Sequence, residues 1–268
     1  MKNGNYTDLA KAKVKEFENK LIDLYNDPNE FRNWLKCSLK FTQYSYSNQM
    51  LIYAANPQAT YVATSARWEK MGIKVLDFHP INILRPLYAK YIIDKNGVKI
   101  YWKDMTKQQK KDVEDKKIKL YSFLSRTGCV PVFDISQTDA TEEQLFNLVK
   151  NRKPDHDLEE TYQILCEEYE MSPQDKSRSI MDRYYDFFSE QFNSFELSGE
   201  LNEQERSVAK ECYIYAALDT LGIDNKIIDF NVLTQLDKET SMDRLKALSK
   251  QIESLVKVQI AELSQYIL

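Results

Sequence analysis

Apolar residues recur at helical spacing at the start of the chain, switch to strand-like runs in its middle, and return to helical spacing until the end. From about Thr7 to Tyr25, Val14, Phe17, Leu21 and Leu24 form one stripe, while Lys11, Lys13, Lys15 and Lys20 fill other faces. Asp27-Pro28-Asn29-Glu30 reads as the start of a second helix, with Asp27 as cap, Pro28 in the first turn and Glu30 reaching back. Its apolar stripe is Phe31, Trp34, Leu35 and Leu39. A third helix is expected over Ser45–Ala55, stopped at Asn56-Pro57 because the residue before proline avoids helical geometry. A short one near Ser65–Met71 should end at Gly72.

Strand signals follow at Ile73–Leu76, Ile81–Leu84, Tyr88–Ile93 and Val98–Trp102, rich in β-branched and aromatic residues. Asp94-Lys95-Asn96-Gly97 joins the last two as a hairpin turn. Thr106 caps a charged helix running to Lys117, and strands near Lys119–Leu124 and Val130–Ile135 should finish the sheet. From Thr141 the pattern predicts only helices, over about 141–150, 158–170, 173–194, 203–221 and 241–267, with Ser172-Pro173 and Gly222 as boundaries. The expected fold class is therefore α+β: N-terminal helices packed on a small, mostly antiparallel sheet, followed by an all-α C-terminal domain. The expected domains are residues 1–140 and 141–268.

Charge sharpens that division. The chain of 268 residues has a net charge of −4, but residues 1–140 hold 23 Lys and Arg against 15 Asp and Glu, and residues 141–268 hold 14 against 26. A basic front suggests an anionic partner, unless the two halves simply attract each other. No apolar run reaches the roughly 18 residues of a membrane span, and MKNGNYTDLAKAK lacks the apolar core of a secretory signal. The four cysteines, Cys37, Cys129, Cys166 and Cys212, are far apart and read as reduced thiols of a cytoplasmic protein. No Walker or dinucleotide fingerprint is present, and no cofactor is expected.

The segment YSYSNQMLIYAANPQATYVATSARWEKMG sets rings among amides and hydroxyls beside basic, strand-like sequence. Flat rings next to cations suit unpaired nucleic acid, since every base offers a face to stack on. Tyr44, Tyr46 and Tyr61 stand at helix or loop ends and are preferred over Tyr53, while Trp68 reads as core. Arg67, Lys70, Lys74 and Arg85 flank the same stretch and would neutralise phosphates if they share a face; otherwise they are ordinary solvated positions. Asn48 is a further binding candidate, and Asp134 to Thr138 read as chiefly architectural. The lysines between Lys107 and Lys119 alternate with Asp112, Glu114 and Asp115 and should compensate themselves.

Tyr44–Ser45, Asn48, Leu51–Ile52, Pro57, Ala59–Thr60, Val62, Trp68, Gly72, Ile81, Ile83, Pro86 and Val132–Thr138 occur in an order that resembles the N-terminal domain of ArdC antirestriction and LtrC-like proteins. The resemblance covers roughly residues 10 to 140 and implies single-stranded-DNA binding. Asp77-Phe78-His79-Pro80 stands where that family has a Gly- and Lys-rich turn. Full-length relatives carry a zinc-metallopeptidase-like domain after it. Here VAKECYIYAALDTLGID resembles its glutamate helix, placing Glu211 at the glutamate, but Asp182-Arg183-Tyr184-Tyr185-Asp186 stands where HExxH is expected. With only His79 and His156 in the chain, zinc is disfavoured; an oxygen-only site from Asp182, Asp186 and Glu211 is the remaining metal option.

The sequence thus predicts a non-enzymatic single-stranded-DNA-binding protein of a mobile element, acting in counter-defence or in protecting DNA during conjugative transfer. The alternative is a protein–protein inhibitor of a host defence nuclease or effector, with the acidic half meeting the host protein.

Overall fold

A computed structural model of the chain describes residues 4–149, 157–195, 201–237 and 240–267. Helices α1 (Gly4–Tyr25), α2 (Pro28–Ser38) and α3 (Tyr46–Ala55) lead into strand β1 (Val62–Ala63) and helix α4 (Ser65–Lys70). Strands β2 (Ile81–Ile93) and β3 (Lys99–Tyr101), helix α5 (Lys107–Glu114) and strand β4 (Tyr121–Asp134) follow. Helices α6 (Glu142–Val149), α7 (Leu158–Glu168), α8 (Ile180–Ser194), α9 (Glu203–Thr220) and α10 (Met242–Leu263) complete the described chain. The fold is α+β, with a small antiparallel sheet ordered β1-β4-β2-β3 and helices at the C-terminus.

Local chemistry sets many of these boundaries. The Asp27 carboxylate accepts hydrogen bonds from the Asn29 and Glu30 amides at 2.9 and 3.1 Å, with Pro28 opening the helix. Glu30 does not return the bond to Asp27, whose amide instead donates to the Leu24 carbonyl at 3.3 Å. Glu30 faces Tyr53, whose pKa is raised first by burial and then by that carboxylate. Thr106 and Gln109 form the reciprocal cap of α5. Gly97 takes a φ of +78° in the hairpin turn, a conformation costly for any residue with a Cβ.

Two strand pairs that the sequence separates are single strands. Pro86 does not break β2, because β3 pairs only with Tyr91, Ile92 and Ile93, so the ladder on that side has ended before the missing proline N–H would be needed. Gly128 does not break β4 either. A Cβ there would stand 2.8 Å from Leu87 Cδ1, so a larger residue would have to turn the Leu87 side chain aside. Ile73–Leu76, expected as a strand, makes one bridge, Val75 to Thr138, and is otherwise held by Leu76 N–H donating to Gln137 O at 2.8 Å. Helix α8 begins at Ile180 rather than after Pro173. Ser179 caps it by accepting from the Asp182 amide at 3.1 Å, and the Gln174 amide is drawn off to Tyr162 Oη at 3.1 Å.

Contacts group the chain into two compact units, residues 1–15 with 82–131 and residues 16–81 with 132–268. This division cuts across the one at residue 140, because residues 16–81 pack on the C-terminal helices. Tyr25 bonds Ser249 at 3.2 Å, Lys246 pairs with Glu18 at 2.5 Å, and the rings of Phe31 and Phe230 lie 5.2 Å apart. Helix α9, buried from Val208 to Leu218 except for Lys210 and Glu211, packs against α8 and α10 at the centre of this larger unit. A second cluster gathers Ala63, Trp68, Ile73, Phe133 and Ile135, with Trp68 Nε1–H donating to Phe133 O at 3.0 Å.

On α8, Arg183 is 4% exposed, lies over the Tyr162 ring at 4.9 Å and forks onto Glu159 of α7 through both terminal nitrogens. That hydrogen-bonded guanidinium holds the Glu159 carboxyl at about 2 rather than 4.5. A folded-state pKa below the unfolded one gives stability that is present above pH 4.5 and lost as pH falls toward 2. In urea titrations across that window, Glu159→Gln should therefore show a flatter acid limb than the natural protein; identical limbs would remove this pair from the acid response.

Candidate nucleic-acid interface

The residues singled out in the sequence scatter over several environments. Tyr46 is 5% exposed, with its ring 4.8 Å from Trp34, and burial pushes its hydroxyl well above the ordinary tyrosine pKa. It is a core residue and offers no face to a base. Tyr44 is half-buried and its hydroxyl donates to Val62 O at 2.9 Å. Tyr61 is half-buried with its ring 5.3 Å from Trp68. Asn48 is half-buried on α3, whereas Arg67, Lys70, Lys74 and Arg85 are exposed. The structure brings Tyr44, Tyr61 and Arg67 into mutual electrostatic reach, since burial raises the Tyr44 pKa, Tyr61 adds to the rise and Arg67 opposes it. Arg85 belongs to the smaller unit and the other seven to the larger one.

The positive charge is concentrated in the unit that does not contain those tyrosines. Over the smaller unit the sequence holds 16 Lys and Arg against 6 Asp and Glu, and over the larger unit 21 against 35. Net charges of +10 and −14 follow, a wider separation than any cut at residue 140 gives. The basic character of the front half is therefore that of β2, β3, α5, β4 and the chain's first residues.

Strand register decides what that charge accompanies. Tyr91 pairs directly with Tyr101, and Ile92 with Ile100, so the pleat sends the two pairs to opposite faces. On the tyrosine face the Tyr91 ring lies 5.4 Å from Tyr121 in a stacked arrangement at 22°, 6.1 Å from Tyr101 and 6.0 Å from Phe123. Lys99 Nζ sits 5.0 Å over the Tyr91 ring and Lys119 Nζ 5.2 Å over Tyr121. Ile92 on the other face is 1% exposed, while Tyr101 and Phe123 remain 36% and 43% exposed. The result is a platform of four rings across three strands, edged by two ammonium groups. Each exposed cation–π contact is worth only about 0.5–1 kcal/mol, so either lysine can leave its ring for a phosphate at small cost.

None of these six residues was a binding candidate in the sequence, where Lys119 was read as compensated by nearby acids, although the signal is there. Lys99 and Tyr101, and Lys119, Tyr121 and Phe123, keep the alternation of a strand with one polar-aromatic face. The lysines from Lys107 to Lys119 also do more than neutralise nearby acids. Lys117 pairs with Asp115 at 2.9 Å, but Lys110 lies 5.6 Å over Trp102 and Lys119 over Tyr121.

The acids considered for metal are held apart by partners of their own. Asp186 pairs with Arg178, Asp182 accepts from Ser179 Oγ at 2.7 Å, and Glu211 accepts from Tyr185 Oη at 3.0 Å. Burial raises the Glu211 pKa. Among the described residues no group of three or more His, Cys, Asp or Glu side chains is placed to hold a metal, and His156 lies outside them. His79 is exposed and paired through Nδ1 with Asp77 at 2.5 Å, which lowers the Asp77 pKa. Cys37, Cys166 and Cys212 are buried free thiols, and burial pushes Cys37 up to about 11. Among the described residues no helix is long and apolar enough to cross a membrane.

No protein-family model matches the chain, and no solved structure matches it. An uncharacterized plasmid-encoded protein of Bacillus anthracis, pXO2-81, is 25% identical over 158 residues, covering 55% of this chain and 27% of that protein. The chain thus matches about a quarter of the length of that relative. The likeness fits a protein of a mobile element and lends no support to membership of the ArdC family.

Proposed function

We propose that this is a non-enzymatic single-stranded-DNA-binding protein of a mobile genetic element, which holds the strand on the aromatic face of β4, β2 and β3. One observation carries the proposal: Tyr91, Tyr101, Tyr121 and Phe123 form a partly exposed platform, with Lys99 and Lys119 over two of its rings, in a unit of net charge +10. Unpaired bases stack on rings whatever their sequence, and the ammonium groups gain by moving from ring faces to phosphates. Paired bases have no free face to offer such a platform. The resemblance of residues 10–140 to the ArdC single-stranded-DNA-binding domain points the same way. The role that fits is shielding an incoming strand during transfer, or obstructing a host defence nuclease.

Titration of a labelled oligonucleotide at two salt concentrations tests this. If about four phosphates are contacted, a fourfold rise in salt should weaken single-strand binding by roughly 50-fold. Absence of binding at low salt would sink the proposal.

The charge of the larger unit favours a second reading. Its 35 acids against 21 bases suit an inhibitor that imitates nucleic acid toward a host nuclease. Recovery of one stoichiometric host protein after nuclease treatment of a lysate would support it over the first.

A further inference from the structure

Within the larger unit a cleft of about 620 Å³ opens between the front helices and the C-terminal ones. Its volume lies in the range of small-molecule sites. Three residues of the lining are cationic. Lys36 and Lys40 stand four residues apart at the end of α2 and in the turn after it, and Arg67 comes from α4. Lys40 is anchored by donating to Ala59 O at 3.3 Å, while the Lys36 and Arg67 side chains are exposed.

The same lining carries an acceptor: Asp219 and Thr220 close α9, where the dipole is negative, and the last carbonyls of that helix are already bonded by the Thr220 hydroxyl and the amides of Leu221, Gly222 and Ile223. Surrounding protein raises the Asp219 pKa, and Lys36, Asn225 and Lys40 partly offset the rise. Its carboxylate still reaches solvent, and its one neutral partner is distant, Asn225 Nδ2 at 3.5 Å. Tyr61 and the aliphatic side chains of Leu39, Leu148 and Ile260 complete the lining.

A ligand complementary to this cleft has an anionic end, a flat or apolar middle and hydroxyl or amine donors. We propose that the cleft binds a mononucleotide, with the phosphate on Lys36, Lys40 and Arg67, the base against Tyr61 and its aliphatic neighbours, and the ribose hydroxyls donating to Asp219. Bare phosphate satisfies only the cations of the lining, and Asp219 repels it. The site shares no residue with the aromatic platform and stands or falls separately from it.

Calorimetric titration of the full chain with AMP, adenosine and inorganic phosphate tests the assignment. AMP should bind at one site per chain, at least tenfold more tightly than either adenosine or phosphate. Lys36→Ala with Arg67→Ala should weaken AMP at least tenfold and leave oligonucleotide binding unchanged. Asp219→Asn should bring AMP and ribose-free phosphate esters closer together in affinity. The assignment is overturned if AMP does not bind, if phosphate binds as tightly, or if the cleft variant binds AMP as before. Loss of AMP on replacing Tyr101 and Phe123 would equally overturn it, by moving the nucleotide to the aromatic platform.

Discussion

Replacing Tyr101 and Phe123 by Ala, with Lys99 and Lys119 by Glu, should lower single-stranded-DNA affinity about 1,000-fold at low salt. Each stacked base contributes roughly 1–3 kcal/mol through its ring, so losing the two exposed rings alone costs about 30-fold or more. Reversing the two lysines removes two phosphate contacts and should lower the salt slope by about 1.4 for a single strand. The two halves of the variant separate these effects. The ring substitutions should change affinity at constant salt slope, and the lysine substitutions should change the slope. Tyr101 and Phe123 are exposed, so circular dichroism and urea midpoints should move little. Arg67→Ala serves as the comparison, because it belongs to the larger unit and is no part of the aromatic platform. Equal binding by the fourfold variant and the natural protein would refute the platform as the DNA site, and a large loss in Arg67→Ala alone would relocate it.

This arrangement was only half legible in the sequence. The excess of positive charge in residues 1–140 and the abundance of tyrosine were both visible, but their pairing was not. Rings at Tyr44, Tyr46 and Tyr61 looked exposed because they stand at element ends. Tyr46 is nevertheless drawn inward, because α3 buries Tyr46, Gln49, Met50 and Tyr53 as well as Leu51 and Ile52. A helix buried on so many sides has no clean polar face from which exposure could be inferred. Conversely, Tyr91, Tyr101, Tyr121 and Phe123 are spread over 33 positions, and only register brings them together. Register is a long-range property that alternation within one strand cannot reveal.

Elements governed by local chemistry were read more closely. Asp27-Pro28, Thr106, the stop at Asn56-Pro57 and the turns at Gly72 and Gly97 all act over a few residues, and each stands where the sequence puts it. Pro86 and Gly128 fall in the gaps left between Ile81–Leu84 and Tyr88–Ile93 and between Lys119–Leu124 and Val130–Ile135. Their actual roles depend on where β3 ends and on how closely Leu87 approaches. The reading of Asp134 to Thr138 as architecture agrees with the structure, and it leads to a prediction about stability.

Asp134→Ala should destabilise the larger unit by about 3 kcal/mol or more. The side chain is 1% exposed. One of its oxygens accepts from the Thr60 and Tyr61 amides at 2.8 and 3.2 Å. The other accepts from the Ser136 amide and hydroxyl at 3.1 and 2.7 Å. Truncation takes a buried acceptor from four donors in a partly buried site, where each lost partner costs up to about 1–3 kcal/mol and the losses do not simply add. The same residue carries the β1–β4 pairing with Val62, and its own amide donates to Gln137 Oε1 at 2.9 Å. Gln137 in turn donates to His79 O at 2.8 Å, fixing the Asp77–Pro80 turn. Asp134→Asn keeps one accepting oxygen and should cost less than Ala, and Ser136→Ala about 1 kcal/mol, as a single hydrogen bond does. Because Asp134 holds Tyr61 against the cleft, Asp134→Asn should also weaken AMP while sparing the aromatic platform. Urea denaturation of the three variants gives the order, and an Asp134→Ala protein within 0.5 kcal/mol of the natural one would show that the Trp68 cluster, and not this carboxylate, fixes the β1–β4 corner.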